Sequence, residues 1–410
     1  MSRLNIIDAI SHSNSRSELR FDPNKVYSGN VMLGNLGCTI TNPARSLLYN
    51  ANSGVLALIQ NIYLYDGTQL LDQLTDAHHI LAFRNVQAAN GYNENIGQQL
   101  IATNRAYDVQ QDPYDIKNVP KIVDVVTLDP GSAATQDPNT TFKGFVNLQN
   151  IFNCLKQMAY KFENETVQLV DTNVFQSLRV IIEWRSSAEL NSAFQGTTTG
   201  IAVTILQPQL FLEEVEASPP QSLSFNYLVY ELDKVNCNSA AGAGTIQTKQ
   251  RVNAFNTKFV SKLLLMNVDP TKLTDDNAGN DDAVKCDSSL VQPNEIIQMY
   301  LNGKALFDFN GMNTHGRKLN FVTDAWGALS IPECSYLQVA RPSELLTPQA
   351  AQLAGKMSYG GVLLNDRVTE LNVDYSRTVT GAVSAFLLFV WGEVVKNINI
   401  KNGVYSVSYA

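Results

Sequence analysis

Short apolar segments separated by Gly, Pro, Asn and Asp clusters run along the whole chain. Ser177–Arg185 shows the pattern most clearly, and the apolar residues on one of its faces are Leu178, Val180, Ile182 and Trp184. Alternation with a period of two is typical of antiparallel strands that have one buried face. The predicted strands are Val26–Leu36, Gly54–Tyr65, Lys121–Leu128, Leu178–Trp184, Ile201–Val215, Leu223–Leu232, Thr257–Met266, Glu295–Leu306, Arg367–Val373, Val383–Val395 and Gly403–Tyr409.

Helical patterns are few, and strands without regular intervening helices favour β-sandwiches over a doubly wound sheet. Short helices are predicted over Asn147–Phe162, Leu70–Phe83 and Gln349–Lys356. The last of these follows Thr347-Pro348, an N-cap residue followed by proline at the first helical position. The first twenty residues predict an amphipathic arm, with Leu4, Ile7 and Ile10 on one side. The long polar segments predicted as loops are Asn90–Pro120, Pro130–Lys143, Cys237–Gln250 and Asp269–Ser289.

The length of the chain predicts two domains. It has 410 residues, and a single hydrophobic core stops growing beyond roughly 250–300 residues. Ala217–Gln221 contains two adjacent prolines, which cannot continue a strand ladder. We therefore predict an N-terminal arm over residues 1–20, a first domain over residues 21–217 and a second over residues 221–410.

A faint internal repeat supports the division into two domains. Asn61–Leu70 contains an apolar run, Asp66-Gly67 and then a leucine, and Ile297–Leu306 repeats this order around Asn302-Gly303. Asp-Gly and Asn-Gly between apolar runs are strong hairpin signals, because these residues tolerate the positive φ of two-residue turns. A duplication explains the repeat, and coincidence is the open alternative because such hairpins are common.

The charge of the chain favours assembly and disfavours nucleic-acid binding. Charged residues make up 17% of the sequence, against about 25% in ordinary globular proteins. A neutral polar surface is easily buried against a neighbouring subunit, because few ions must be desolvated. The net charge is −8, and Arg317-Lys318 is the only adjacent basic pair. Direct nucleic-acid binding depends on clustered cations, so it is not predicted.

Cysteine spacing and the N-terminal sequence predict a protein that folds inside a cell. The five cysteines are scattered, odd in number and without a Cys-x-x-Cys motif, which is typical of reduced structural thiols. The sequence begins without the apolar core of a signal peptide, so secretion is not expected. Ala382–Trp391 is the longest nearly uncharged apolar run, and at about half a membrane span it is predicted as a buried strand.

No motif for catalysis, cofactor binding or metal binding stands out. The histidines His12, His78, His79 and His315 form no His-Glu-x-x-His or His-x-His motif. Ala240–Thr245 contains Gly-Ala-Gly but lacks the context of a phosphate loop, so a flexible loop is predicted. The aspartates Asp275, Asp276, Asp281, Asp282 and Asp287 do not match an EF-hand, and a solvated acidic loop is favoured over a calcium site. We therefore predict no catalytic, cofactor-binding or metal-binding residues and no enzyme.

Three passages carry a resemblance to a known family. Arg20–Tyr27 leads from a polar arm into the first predicted strand, and Ile62–Gln69 forms a hairpin. Val146–Leu155 predicts a short helix that precedes the strand Ser177–Trp184. With two consecutive sandwich units and long loops, the chain resembles the double jelly-roll major capsid proteins. This lineage includes tectiviruses, adenovirus hexons, virophages and polinton-like elements.

The resemblance implies two tandem eight-stranded jelly rolls in an all-β chain with a few short helices and long loops. It further implies homotrimers with a pseudo-hexagonal outline that tile an icosahedral shell, and a location in the virion after folding inside the host cell. The implied partners are the chain itself, minor capsid and penton proteins, and an internal membrane contacted through the arm over residues 1–20. The family has no catalytic signature, so the resemblance transfers no site residue.

Two other functions remain open from the residues alone. One is a carbohydrate-active enzyme on a double jelly-roll scaffold, because glycosidase carboxylates leave little local signature in a sequence. Such an enzyme needs acidic residues that converge at a cleft, and the sequence gives no reason to choose Glu183, Glu393 or Asp374 over its other carboxylates. The other is a trimeric receptor-binding protein of a virion, although the fibrous stalk repeats common in such proteins are absent from the sequence.

Overall fold

A computed structural model describes most of both predicted domains. The described residues are 2–41, 47–49, 53–81, 121–123, 125–126, 135–136, 143–162, 165–195, 202–219, 222–268, 295–305, 312–313, 337–339, 362–363, 370–383, 385–401 and 404–409. They form two compact units. The first contains the described residues of 1–225 and 398–406, and the second contains those of 226–397 and 407–410.

The described residues before position 220 form eighteen strands. They are β1 (Ser2–Asp8), β2 (Ser11–His12), β3 (Arg16–Arg20), β4 (Val26–Leu36), β5 (Cys38–Thr41), β6 (Leu47–Tyr49), β7 (Ile59–Asp66), β8 (Gln69–Thr75), β9 (Lys121–Val123), β10 (Val125–Val126), β11 (Thr135–Gln136), β12 (Gly144–Asn147), β13 (Ala159–Phe162), β14 (Glu165–Asp171), β15 (Leu178–Trp184), β16 (Phe194–Gln195), β17 (Ala202–Ile205) and β18 (Gln209–Val215). Short helical segments cover Val55–Leu58, 77–81, Leu148–Asn150, Asn153–Gln157 and Glu189–Ala193.

Two antiparallel sheets dominate the first unit. The β4 sheet has the order β1-β18-β4-β14-β13, with β12 also paired to β4. The β15 sheet has the order β2-β3-β15-β7-β8. Both sheets bury alternate residues, for example Leu33 and Leu212 from the first and Ile62 and Val180 from the second. The predicted strand over Ser177–Arg185 is confirmed with all four apolar residues of its inner face buried, but Ile181 and Arg185 on the opposite face are buried as well.

After residue 221, the part of the chain that the structure describes contains eleven further strands. They are β19 (Ser222–Cys237), β20 (Gly244–Arg251), β21 (Phe259–Val268), β22 (Glu295–Leu301), β23 (Lys304–Ala305), β24 (Met312–Asn313), β25 (Leu337–Val339), β26 (Val362–Leu363), β27 (Leu371–Val379), β28 (Phe386–Lys401) and β29 (Val404–Tyr409). The β28 sheet has the order β19-β28-β21-β25, with β26 on β21 and β29 on β28. The β27 sheet has the order β20-β27-β22-β23, with β24 on β22.

The two units repeat one strand order. The order β1-β18-β4-β14 of the first unit corresponds to β19-β28-β21-β26, and β3-β15-β7-β8 corresponds to β20-β27-β22-β23. Along the chain, equivalent strands follow one another in the same sequence in both units. This is an eight-stranded double sheet of the jelly-roll type, present twice. The predicted all-β class with two tandem jelly rolls is confirmed.

The two predicted hairpins join equivalent strands of the two units. Asp66 pairs with Gln69 across a two-residue loop in which Gly67 has φ 55°. In the second hairpin, Asn302 (φ 52°) and Gly303 (φ 74°) both adopt positive φ, as a type I′ turn requires. The two loops therefore differ in conformation. Each nevertheless joins the equivalent pair of strands in its unit, β7 to β8 and β22 to β23, as an internal duplication requires.

Several predicted elements differ from the observed ones. The helix predicted over Leu70–Phe83 is wrong at its start, because 69–75 is strand β8 and the described helical residues are 77–81. The helix predicted over Asn147–Phe162 breaks into two short helical segments and then strand β13. The loop predicted over Cys237–Gln250 is wrong in its second half, because Gly244–Arg251 pairs with β27 along its whole length. The predicted helix Gln349–Lys356 and the loops Asn90–Pro120 and Asp269–Ser289 lie outside the described residues.

Residues 2–20, which the sequence analysis set apart as an arm, form strands β1, β2 and β3. Strand β1 pairs with β18 over its full length, and β3 pairs with β15. Side chains alternate between the two faces of a strand, so Leu4 and Ile7, three residues apart, lie on opposite faces. The helical spacing inferred for Leu4, Ile7 and Ile10 is therefore wrong.

Candidate assembly surface

The carboxylates considered for glycan cleavage lie on three different sheets. Glu183 on β15 accepts a hydrogen bond from Asn61 Nδ2 at 2.7 Å. Glu393 on the β28 sheet is buried and accepts a hydrogen bond from the Tyr230 hydroxyl. Asp374 on the β27 sheet lies 3.3 Å from Lys249 Nζ. The fold does not bring these three side chains together on one sheet, and each has a structural contact of its own.

The histidines also lie in structural environments. His78 and His79 are both buried, and their ring centroids lie 3.9 Å apart with the ring planes tilted by 42°. His12 Nε2 lies 3.1 Å from the carbonyl oxygen of Ile205, and its Nδ1 lies 2.8 Å from Ser17 Oγ. Within the described part of the chain, no group of three or more His, Cys, Asp or Glu side chains is placed to hold a metal ion. His315 and the aspartates of 275–287 lie outside the described residues.

Cys38 is a buried thiol that contacts a buried tyrosine. Its Sγ lies 3.5 Å from the Tyr49 hydroxyl, and its backbone N–H donates to the same oxygen at 3.2 Å. Burial raises the pKa of the Cys38 thiol from 9.0 to about 12, because the thiolate would lose its hydration. Cys154 and Cys237 are also buried, and Cys286 and Cys334 lie outside the described residues.

We expect the Cys38 thiol to resist alkylation in the folded protein. At pH 8 the raised pKa leaves it almost fully protonated, and the thiolate is the reactive form. Iodoacetamide labelling followed by peptide mass spectrometry should modify Cys38 only after addition of denaturant. A Cys38→Ser variant identifies the peptide, and rapid labelling of Cys38 in the native protein would contradict this prediction.

The outer face of the β15 sheet carries a polar and aromatic network. Arg179 Nη1 lies 2.8 Å from Glu18 Oε1, and its guanidinium lies 5.7 Å from the Tyr65 ring centroid. Tyr63 lies beside Tyr65, with ring centroids 6.0 Å apart. Burial, and secondly the charge of the Glu183 carboxylate, raise the pKa of Tyr63 to about 12. Tyrosine and arginine are enriched at protein interfaces, so this face has the composition of a contact surface.

The outer face of the β4 sheet is apolar near its β1 edge. Leu4 and Ile6 on β1 are 64% and 54% exposed, and Ile10 just beyond the strand is 61% exposed. We call these three residues the apolar ridge. Ile6 lies opposite Phe211 on β18. The ring centroids of Phe211 and Phe145 are 5.3 Å apart. The helical spacing predicted for residues 1–20 concealed this surface, because Leu4 and Ile6 lie on the same face only when the period is two.

No helix among the described residues is long and apolar enough to cross a membrane.

Solved structures with the same fold come from viral shells. A chain of the Sputnik virophage particle aligns with 100% of this chain and 88% of its own length, at a TM-score of 0.59 and 12% identity. The Faustovirus major capsid protein aligns with 98% of this chain and 90% of its own length, at a TM-score of 0.55 and 9% identity. The mavirus major capsid protein aligns with 99% of this chain and 90% of its own length, at a TM-score of 0.52 and 10% identity. No protein-family profile and no curated protein sequence matches the chain.

These identities are low, so the likeness concerns the fold. It nevertheless extends over the whole chain and includes both units. The resemblance to double jelly-roll major capsid proteins is thereby confirmed at the level of the fold.

Proposed function

We propose that this chain is the major capsid protein of a virus. The observation that carries the proposal is the tandem repetition of one jelly-roll strand order, which aligns end to end with the major capsid proteins of mavirus and Faustovirus. The low charge content and the exposed apolar and aromatic residues on the sheet faces are what a protein that buries its sides in an assembly requires.

The proposed assembly unit is a homotrimer. Each chain supplies two similar units, so three chains related by a threefold axis present six similar wedges around one centre. Such a trimer has a pseudo-hexagonal outline, and hexagonal outlines tile a surface without gaps. Closed cyclic symmetry buries the same surfaces on every subunit, so no adhesive side is left exposed.

The proposed location is the virion shell, with folding in the interior of the host cell. Minor capsid and penton proteins are the partners proposed beside the chain itself. Contact with an internal membrane through residues 1–20 stays a prediction. Because the described residues of that segment form strands, we expect any such contact to involve a sheet edge and its side chains rather than a flexible arm.

We expect the purified chain to form a stable trimer. Light scattering coupled to size-exclusion chromatography should give about three times the chain mass of 45.2 kDa. Electron microscopy of concentrated protein should show hexagonal platelets or closed particles. A protein that stays monomeric at all concentrations and hydrolyses glycans would contradict the proposal, and it would favour the carbohydrate-active alternative.

A further inference from the structure

The first strand of the chain presents its apolar residues to solvent. On β1 the exposed Leu4 and Ile6 share the outer face, whereas Arg3, Asn5 and Ile7 point to the other side. A strand that served only its own subunit would turn its larger apolar side chains inward. Apolar side chains that are exposed together usually mark a contact surface.

Among the described strands, β1 also lies at the edge of its sheet. Among the described strands it pairs only with β18, so every second backbone N–H and C=O group points away from the sheet. Proteins usually block such edges with proline, lysine, a bulge or a covering segment. The seven residues Ser2–Asp8 contain neither proline nor lysine, and their register with β18 runs from Ser2 to Asp8 without a bulge.

Polar contacts hold this edge in place. Asn5 Nδ2 donates to Glu214 Oε2 at 2.9 Å, and the other carboxylate oxygen of Glu214 pairs with Lys25 Nζ. These hydrogen bonds lower the pKa of Glu214, with Lys25 as the largest cause and Asn5 as the second. The edge is therefore fixed before it meets a partner, which reduces the entropy lost on binding.

We propose that β1 pairs antiparallel with β1 of a second copy of this chain, across a twofold axis at Asn5. In this register Leu4 lies opposite Ile6 of the second copy and Ile6 lies opposite its Leu4, which forms one four-residue apolar cluster. Ser2 lies opposite Asp8, and Arg3 lies opposite Ile7, so no like charges face each other.

The neighbouring registers fit less well. A shift of the axis to Ile6 places Leu4 opposite Asp8, and a shift to Leu4 places Ile6 opposite Ser2. Only the axis at Asn5 pairs both exposed apolar residues of the strand with apolar residues. This self-complementarity points to a second copy as the occupant, rather than to an unrelated strand.

This inference rests on the proposed function and adds a second kind of contact to it. The trimer supplies threefold contacts, and β1 pairing supplies twofold contacts between trimers. A threefold and a twofold contact together are sufficient to generate a closed shell from one type of subunit. Each trimer would contribute three β1 edges to its neighbours.

A double substitution tests the contact. Leu4→Asn with Ile6→Asn removes the apolar cluster without introducing charge, and we expect the concentration needed for trimers to associate to rise roughly tenfold or more. Val404→Asn is the matched control, because Val404 is 72% exposed on a different strand, and it should leave association unchanged. Light scattering measures both the trimer mass and its association, and circular dichroism shows whether each variant is folded.

Cysteine cross-linking tests the register. Opposite residues of antiparallel strands have Cα atoms about 4.5–5.5 Å apart, which is within the range of a disulfide. Asn5→Cys should therefore give covalent pairs of chains when assembled protein is oxidised, whereas Val404→Cys and the wild type should not.

The outcomes separate this inference from the proposed function. If the wild type forms trimers that associate, but the Leu4/Ile6 double variant associates equally well and Asn5→Cys gives no cross-linked pair, the β1 contact is wrong and the capsid proposal stands. A wild-type chain that never forms trimers or larger assemblies would overturn both. Cross-linking of Asn5→Cys to a different protein would replace the second copy as the occupant.

Discussion

Replacing Lys258 by methionine is expected to lower the free energy of unfolding by about 3 kcal/mol. Lys258 Nζ pairs with Glu231 Oε2 and also donates to the Ala254 carbonyl oxygen at 2.9 Å. The side chains of Lys258 and Glu231 are only 20% and 8% exposed. Removing the ammonium leaves a buried carboxylate without its main counter-charge, which is more costly than the loss of an exposed ion pair.

The surroundings limit this loss to the lower end of the range for buried pairs. The Tyr409 hydroxyl donates to Glu231 Oε1 at 2.7 Å and retains that bond in the variant. Lys396, which is buried, keeps its Nζ 5.0 Å from the Tyr409 ring centroid, so a second cation stays beside the tyrosine that donates to this carboxylate. Burial, and then the hydrogen bond to Glu231, raise the pKa of Tyr409, so the phenol remains a donor at neutral pH.

A double variant is the matched control. Lys258→Met with Glu231→Gln removes both charges and keeps an acceptor for the Tyr409 hydroxyl, so we expect its stability to return to within about 1 kcal/mol of the wild type. Urea denaturation followed by circular dichroism measures all three proteins. Equal stability of Lys258→Met and the wild type would show that the ion pair makes no net contribution.

The strands could be predicted wherever one face of a strand is buried. Val26–Leu36 and Leu178–Trp184 coincide with β4 and β15, because their alternation records the two faces of a half-buried sheet. The pattern failed for polar strands such as Gly244–Arg251, in which only Ile246 and Thr248 are buried. There the pairing with β27 fixes the structure, and a single sequence does not contain that information.

The candidate surface could be predicted only in part. Low charge and missing motifs predicted a protein that acts through contacts with other macromolecules. The position of the ridge depended on whether residues 1–20 form a helix or a strand, because Leu4 and Ile6 share a face only in a strand. The pairing of β1 with a strand some two hundred residues away decides between the two, and local sequence does not reveal it.

Replacing Gly392 by valine is expected to destabilise the second unit by roughly 3 kcal/mol. Gly392 lies within β28, and a Cβ atom at this position would lie 2.7 Å from Cε1 and 2.9 Å from Cζ of Phe255. Phe255 is fully buried in a cluster with Val252, Leu263 and other residues, so its ring can move only by displacing buried neighbours. Glycine within a strand often marks such a close approach.

Gly244→Val is the matched control for this overpacking. Gly244 begins strand β20 and has no atom within 4 Å of its would-be Cβ, so valine there should be neutral or slightly stabilising, as β-branched residues suit strands. Combining Gly392→Val with Phe255→Leu should recover part of the lost stability, because the smaller side chain makes room for valine. Urea denaturation of the four proteins measures these differences. If Gly392→Val has the same midpoint of urea unfolding as the wild type, the core tolerates a side chain beside the Phe255 ring and the prediction is wrong.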